Sequence, residues 1–92
     1  MGFLDFFRSK EQKYRSLVRA VFDEQVKNTI RENRDLVMNP LFGGMVIQAA
    51  IGSAYQTLMN EPKLVLFALQ SNFNPYAVIE EECRRALNNY LE

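Results

Sequence analysis

Histidine is missing from this 92-residue sequence, and cysteine occurs once, at Cys83. A single cysteine excludes an internal disulfide, and without histidine no Cys/His metal cluster can form and the commonest general base is unavailable. The glycine pair Gly43 and Gly44 lacks the further glycines and the Lys-Ser/Thr pair of a phosphate loop. We therefore expect a non-enzymatic protein without metal or cofactor. One lone thiol also fits a reducing, cytoplasmic setting.

Net charge is also absent, because 11 Lys and Arg residues balance 11 Asp and Glu residues. This balance gives no overall field that would attract nucleic acid, which we do not expect as a partner. Residues 8–19 nevertheless form a local basic face, opposed only by Glu11 and made of Arg8, Lys10, Lys13, Arg15 and Arg19. Consecutive helical residues point in different directions, so the run of glutamates at 80–82 predicts a charged first turn and not a catalytic carboxylate pair.

Residues 39–60 carry no charge at all. Asn39 is a good N-cap and Pro40 fits the first helical position, although the two glycines could delay the regular helix to Met45. Residues 41–59 are just long enough to span a bilayer, but glutamines, glycines and hydroxyl residues dilute their hydrophobicity. We therefore favour a buried central helix over a transmembrane one.

The flanking segments show helical periodicity. Residues 10–38 carry an apolar row at every fourth position from Tyr14 to Ile30, widened by Leu17 and Val21, and Ser9 could cap this helix. The apolar run 64–69 has no clear period; we favour a short helix over a strand and expect it to be covered. The last helix should start at Pro75. These patterns predict one all-α domain over residues 1–92, a compact bundle of about four helices with a central, nearly uncharged helix.

An aromatic N-terminal segment, residues 1–9, precedes this bundle. Its apolar side chains and the basic residues that follow are candidate interaction residues: Phe3, Leu4, Phe6, Phe7, Arg8, Lys10 and Lys13. The aromatics could dock on the domain and hold the terminus in place, bind another protein, or anchor the chain at an anionic membrane surface. Under the membrane alternative, the protein would be cytoplasmic and would attach peripherally to a membrane.

Self-association is the leading functional hypothesis, since two amphipathic helices could not cover both the central helix and residues 64–69. Small residues at four-residue intervals would let a partner helix approach closely, so a bulky residue at Ala50 or Ala54 should dissociate the oligomer or unfold it. Gln48, Gly52 and Gln56 are further candidate interaction residues. The sequence thus predicts a helical interaction module or small adaptor, with a homo-oligomer or another protein as partner. An apolar-ligand carrier, with Gln48, Gln56 and Tyr55 as polar groups inside a cavity, is a third alternative.

Overall fold

The computed structural model of the chain describes the backbone of residues 3–91 and the side chains of residues 10–91. Over this range the fold is all-α, as predicted, and contains no strand. Its five helices are α1 (Phe3–Glu32), α2 (Arg34–Met38), α3 (Gly43–Met59), α4 (Lys63–Gln70) and α5 (Pro75–Leu91). The fifth helix arises because the segment predicted as one helix over residues 10–38 is two helices.

The predicted bounds of this segment are wrong at both ends. Helix α1 begins at Phe3, so Ser9 lies within its second turn and does not cap it. At the other end the backbone leaves the helical region at Asn33, with φ −127° and ψ 42°. The Asn33 side chain donates a hydrogen bond to the Thr29 carbonyl, 3.2 Å away. Asparagine competes in this way for backbone partners, which favours a helix end over a helix interior.

The turn between α2 and α3 is built by Asn39, although not as the predicted N-cap. Its Oδ1 accepts a hydrogen bond from the Leu41 amide at 2.8 Å, and its carbonyl accepts one from the Gly43 amide at 2.8 Å. Helix α3 therefore begins four residues later, at Gly43. A Cβ atom on Gly43 would lie inside contact distance of the Val37 carbonyl, so glycine lets α2 fold tightly against α3.

The start of α5 follows the prediction. Asn74 Oδ1 accepts hydrogen bonds from the amides of Tyr76, at 3.0 Å, and Ala77, at 3.4 Å. Those contacts are the ones an N-cap makes, and Pro75 occupies the first helical position, where its missing N–H costs nothing.

The core lies between α1, α3 and α5. Arg15 of α1 contacts Glu82 of α5. Asp23, eight residues farther along α1, contacts Tyr90, eight residues farther along α5, so the two helices run parallel. The predicted apolar row of α1 is confirmed at its centre, except that Leu17 is 61% exposed and does not widen it. The buried apolar residues are Val18, Phe22, Val26, Ala50, Ile51, Ala54, Leu64, Val78, Ile79 and Ala86.

Two expectations about burial are wrong. Helix α3 packs against α1, α2 and α5, but it buries only one face, formed by Gly43, Ala50, Ile51 and Ala54. Helix α4 confirms the helical prediction for residues 64–69, yet Val65, Leu66 and Leu69 are exposed where coverage was expected. Absence of charge therefore does not mean that these segments are covered within a single chain. Among the residues described, no helix combines the length and the hydrophobicity needed to cross a bilayer.

Candidate functional site

The most concentrated group of charges lies between α1 and α5, around the Glu82 carboxylate, which is only 2% exposed. Arg19 donates to it from Nε at 2.8 Å and from Nη2 at 3.1 Å. Arg85 Nε donates at 2.7 Å and Arg15 Nη1 at 3.2 Å. The hydrogen bonds from Arg19, aided by those from Arg85 and Arg15, outweigh the effect of burial and lower the pKa of Glu82 from 4.5 to about 2.

The network continues on both sides of Glu82. Arg15 Nη2 also lies 2.9 Å from Glu81 Oε2. Asp23 Oδ1 accepts hydrogen bonds from Arg85 Nη2 at 3.4 Å and from the Tyr90 hydroxyl at 3.1 Å. Three arginines thus meet three carboxylates. Because these charges compensate one another, the cluster joins α1 to α5 and does not form an anion site or a reactive carboxylate.

This role of Glu82 is not predicted from the sequence, although the spacing of the apolar residues around it in α5 indicates that it faces the core. Glu82 lies four residues after Val78, three after Ile79 and four before Ala86, and all three are buried. It therefore occupies a core-facing position of α5. A carboxylate at such a position needs charged partners, which Arg15 and Arg19, four residues apart on one face of α1, supply.

The candidate basic residues are divided by the fold. Arg15 and Arg19 hold Glu82, while Lys10 and Lys13 are exposed. Lys10 Nζ lies 5.7 Å from the ring centroid of Phe67 in α4, within cation–π range. The side chains of the remaining candidates, Phe3, Leu4, Phe6, Phe7 and Arg8, lie outside the part of the chain that the structure describes; their backbone belongs to α1.

An aromatic cluster holds α4 beside α1. The rings of Tyr14 and Phe67 stack with centroids 4.9 Å apart. Phe73, in the loop after α4, lies 5.8 Å from Tyr14 and 5.7 Å from Phe67. Burial in this cluster raises the pKa of the Tyr14 hydroxyl. The cluster therefore brings α4 next to the lysine-bearing part of α1.

Gln48, Gly52 and Gln56 all lie on the exposed side of α3. Gln56 Oε1 accepts a hydrogen bond from Asn60 Nδ2 at 3.3 Å. A Cβ atom on Gly52 would have no neighbour within 4 Å. Glycine in a helix interior lowers stability by about 1 kcal/mol relative to alanine. No contact within the chain therefore explains why residue 52 is glycine.

Ala50 and Ala54, the small residues proposed as an interface test, lie instead in the chain's own core, at 5% and 2% exposure. A bulky residue there would overpack the core and would not report on association. The small residues available to a partner are Ala49, Gly52 and Ser53 on the opposite side of the helix. A one-residue step along α3 turns a side chain by about 100°, which separates the two sets.

Large apolar side chains are exposed before and at the start of α3. They lie within ten residues of one another and comprise Leu36, Met38, Leu41, Phe42 and Met45. A Cβ atom on Gly44 would lie 3.9 Å from Leu91 Cδ2, so the start of α3 is next to the end of α5. Tyr14 of α1 contacts α4, whereas Glu32 ends α1 just before α2. The 18 residues from one to the other correspond to about 27 Å of helix, so this apolar end of the domain is distant from α4.

The described residues give little support for a metal site, a ligand cavity or a reactive thiol. No group of three or more Cys, Asp or Glu among them is arranged to hold a metal ion. Gln48 and Gln56 point outward and offer no polar groups to an apolar ligand inside the bundle. An open groove of about 460 Å³ lies along α1, and its walls are mostly polar: Ala20, Asp23, Glu24, Lys27, Asn28 and Arg31. Burial raises the pKa of the half-buried Cys83 thiol, which disfavours the reactive thiolate.

Comparison with known proteins adds no family and no relative. No family model, no curated protein and no solved structure matches the chain.

Proposed function

We propose that this protein is a non-enzymatic helical interaction module that pairs with a second copy of itself through the exposed side of α3. The observation that carries the proposal is the residue pattern on that side. Phe42, Met45, Ala49, Gly52, Gln56 and Met59 follow one another at alternating spacings of three and four residues. We call these six residues the α3 seam.

Alternating spacings of three and four residues are those with which two helices pack side by side. All residues of the α3 seam are exposed except Met59, which is partly buried. A helix side that faces only water normally carries charge, yet residues 39–60 contain none. Depletion of charge, with enrichment of Met and Phe, is typical of the centre of a protein interface.

The exposed apolar side chains of the α3 seam support a second copy as the occupant. Phe42 and Met45 are 47% and 65% exposed at the start of the seam. A two-fold interface brings the same side of both copies together, so each copy would cover the exposed apolar side chains of the other.

The order of residues along the α3 seam favours an antiparallel pair. A two-fold axis between Ala49 and Gly52 brings the smallest side chains of the two helices together, which allows close approach. The same axis puts Met45 next to Gln56 of the second copy at each end. No contact within the chain requires a glycine at position 52, but in this arrangement Gly52 allows the two helices to approach closely.

The non-enzymatic part of the proposal rests on the titratable groups. Among the residues with described side chains, Glu82 is the most buried carboxylate; three arginines hold it at a pKa of about 2, so it has no proton to exchange at neutral pH. Without histidine, no neutral-range base stands beside it. This cluster serves to hold the helices that present α3.

Solution mass tests the proposal, measured by light scattering at two concentrations a hundredfold apart. The wild-type chain should show twice the 10.7 kDa mass of one copy at the higher concentration. Ala49→Glu puts a charge at the centre of the seam and should give a monomer with unchanged helical circular dichroism. The matched control Ala20→Glu, at an exposed position of α1, should remain a dimer. A wild-type monomer at both concentrations, or a dimeric Ala49→Glu variant, would contradict the proposal.

A further inference from the structure

Helix α4 is apolar on two opposite sides, although it has only eight residues. Leu64 is buried, and Phe67 and Ala68 are partly buried against the domain. The outer side carries Val65, Leu66 and Leu69, which are 56%, 61% and 78% exposed. With the exposed Pro62 just before the helix, these residues form a stripe at positions i, i+3, i+4 and i+7. The inner side alone is sufficient to explain how α4 packs.

Exposed lysines lie on α4 and on the part of α1 that packs against it. Lys63 is the first residue of α4, and Lys10 of α1 lies over the Phe67 ring. Lys13 is exposed one turn after Lys10. The sequence separates these residues by about fifty positions, and the Tyr14–Phe67 stack brings the two segments together. The aromatic segment and Arg8 precede Lys10 in the same helix.

We propose that this region, the α4 surface, docks on an anionic lipid membrane. It consists of the stripe Pro62, Val65, Leu66 and Leu69 with Lys10, Lys13 and Lys63. An amphipathic helix lying in the membrane plane buries its apolar side at the boundary between headgroups and acyl chains. Lysines at its margin then meet the negative headgroups.

Charge distinguishes a membrane from a second copy as the occupant of the α4 surface. A two-fold interface would bring the same three lysines of both copies close together, whereas an anionic leaflet attracts all of them. Glu11 and Glu61 lie nearby in the sequence and offset part of this attraction. The apolar stripe therefore supplies most of the affinity, and the lysines supply its dependence on lipid charge and on salt.

Co-sedimentation of the full chain with vesicles tests this proposal, using phosphatidylcholine alone or mixed with phosphatidylserine, at low and high salt. The protein should bind the mixed vesicles preferentially, and salt should weaken binding. Leu66→Ser with Leu69→Ser should lower the partition coefficient at least about tenfold, because two exposed apolar side chains are lost. Lys10→Gln with Lys63→Gln should reduce binding to the mixed vesicles only.

A matched control is Leu36→Ser with Met38→Ser, which removes two exposed apolar side chains at the other end of the domain. It should bind as the wild type does, and circular dichroism should show that all variants fold. Equal loss in the control and the α4 variant would overturn the proposal, as would wild-type binding that ignores lipid charge. A fall in solution mass for the α4 variant, without any change in vesicle binding, would identify the stripe as a protein interface instead. The α3 seam variant Ala49→Glu leaves the α4 surface intact, so the two proposals can fail separately.

Discussion

Replacing Glu82 with glutamine should show how much the buried charge network contributes to stability. The substitution keeps the size and shape of the side chain but removes the charge that faces three arginines. The shift of the Glu82 pKa from 4.5 to about 2 corresponds to about 3 kcal/mol of preference for the charged form in the folded state. Loss of one partner from a buried ion pair costs about 3–5 kcal/mol.

The partial exposure of the arginines moderates this cost. Their side chains are 31% (Arg15), 47% (Arg19) and 26% (Arg85) exposed, so water can solvate the guanidinium groups once the carboxylate is gone. We therefore expect Glu82→Gln to lower the free energy of unfolding at pH 7 by about 2–3 kcal/mol. For a domain whose total stability is about 5–15 kcal/mol, this is a large fraction.

The effect should depend on pH in a defined direction. Because folding depresses the pKa of Glu82, its charge stabilises the protein above the unfolded-state value of 4.5. That contribution is lost as the pH falls from about 4.5 to about 2, where the carboxylate becomes protonated in the folded state too. The stability difference between wild type and Glu82→Gln should therefore be constant near neutrality and shrink over this range.

Urea denaturation followed by circular dichroism measures these differences, at a protein concentration low enough to keep association out of the transition. Glu81→Gln is the matched control, since Glu81 makes one ion pair with Arg15 and its side chain is 55% exposed. Its loss should cost less than about 1 kcal/mol. Equal costs for the two variants, or a Glu82→Gln cost that persists unchanged to pH 2, would refute the assignment of the stabilisation to the charged carboxylate.

Glycine substitutions provide two further predictions. Gly52→Ala should stabilise the monomer by about 1 kcal/mol, because its added methyl group meets nothing within the chain, but it should weaken the dimer by separating the paired helices. Thermal melts at low concentration and the dimer dissociation constant measure the two effects, and a gain in both would contradict close packing at Gly52. Gly43→Ala should cost about 1–3 kcal/mol, since its methyl group would overlap the Val37 carbonyl, whereas Gly44→Ala should cost nothing because its methyl group has only an ordinary contact with Leu91. Urea denaturation compares this pair, and equal stabilities would show that the α2–α3 turn relaxes freely.

Sequence periodicity predicted those elements whose apolar residues recur on one side. The row Val18, Phe22 and Val26 identified the buried side of α1, and Asn74 with Pro75 marked the start of α5. The helix end at Asn33 was not predicted, and Asn39 was predicted to break the chain as an N-cap and not by the side-chain turn it makes, because asparagine supports a helix end, an N-cap and a side-chain turn equally well. The tight contact between α2 and α3 determines which of these three conformations is adopted. The local sequence does not encode that contact.

The Glu82 network was not predicted because it depends on topology. Arg15 and Arg19 are more than sixty residues from Glu82, and only the parallel arrangement of α1 and α5 brings them together. From the sequence, the same arginines belong to a local basic face, which in most helices is simply solvated. The fold places both arginines in ion pairs with Glu82, and the lysines of that face, Lys10 and Lys13, remain exposed.

Helix α3 illustrates why lack of charge predicts burial without identifying what covers the helix. Of its four fully buried residues, one is glycine and two are alanine, while the larger Ile47, Tyr55 and Leu58 pack against the core in partly buried positions. Its outer side begins with the larger Phe42 and Met45, both exposed. A helix that only completed a core would place its large apolar residues inward. On α3 such residues lie on both sides, and the exposed Phe42 and Met45 are the reason to test the α3 seam before any other surface.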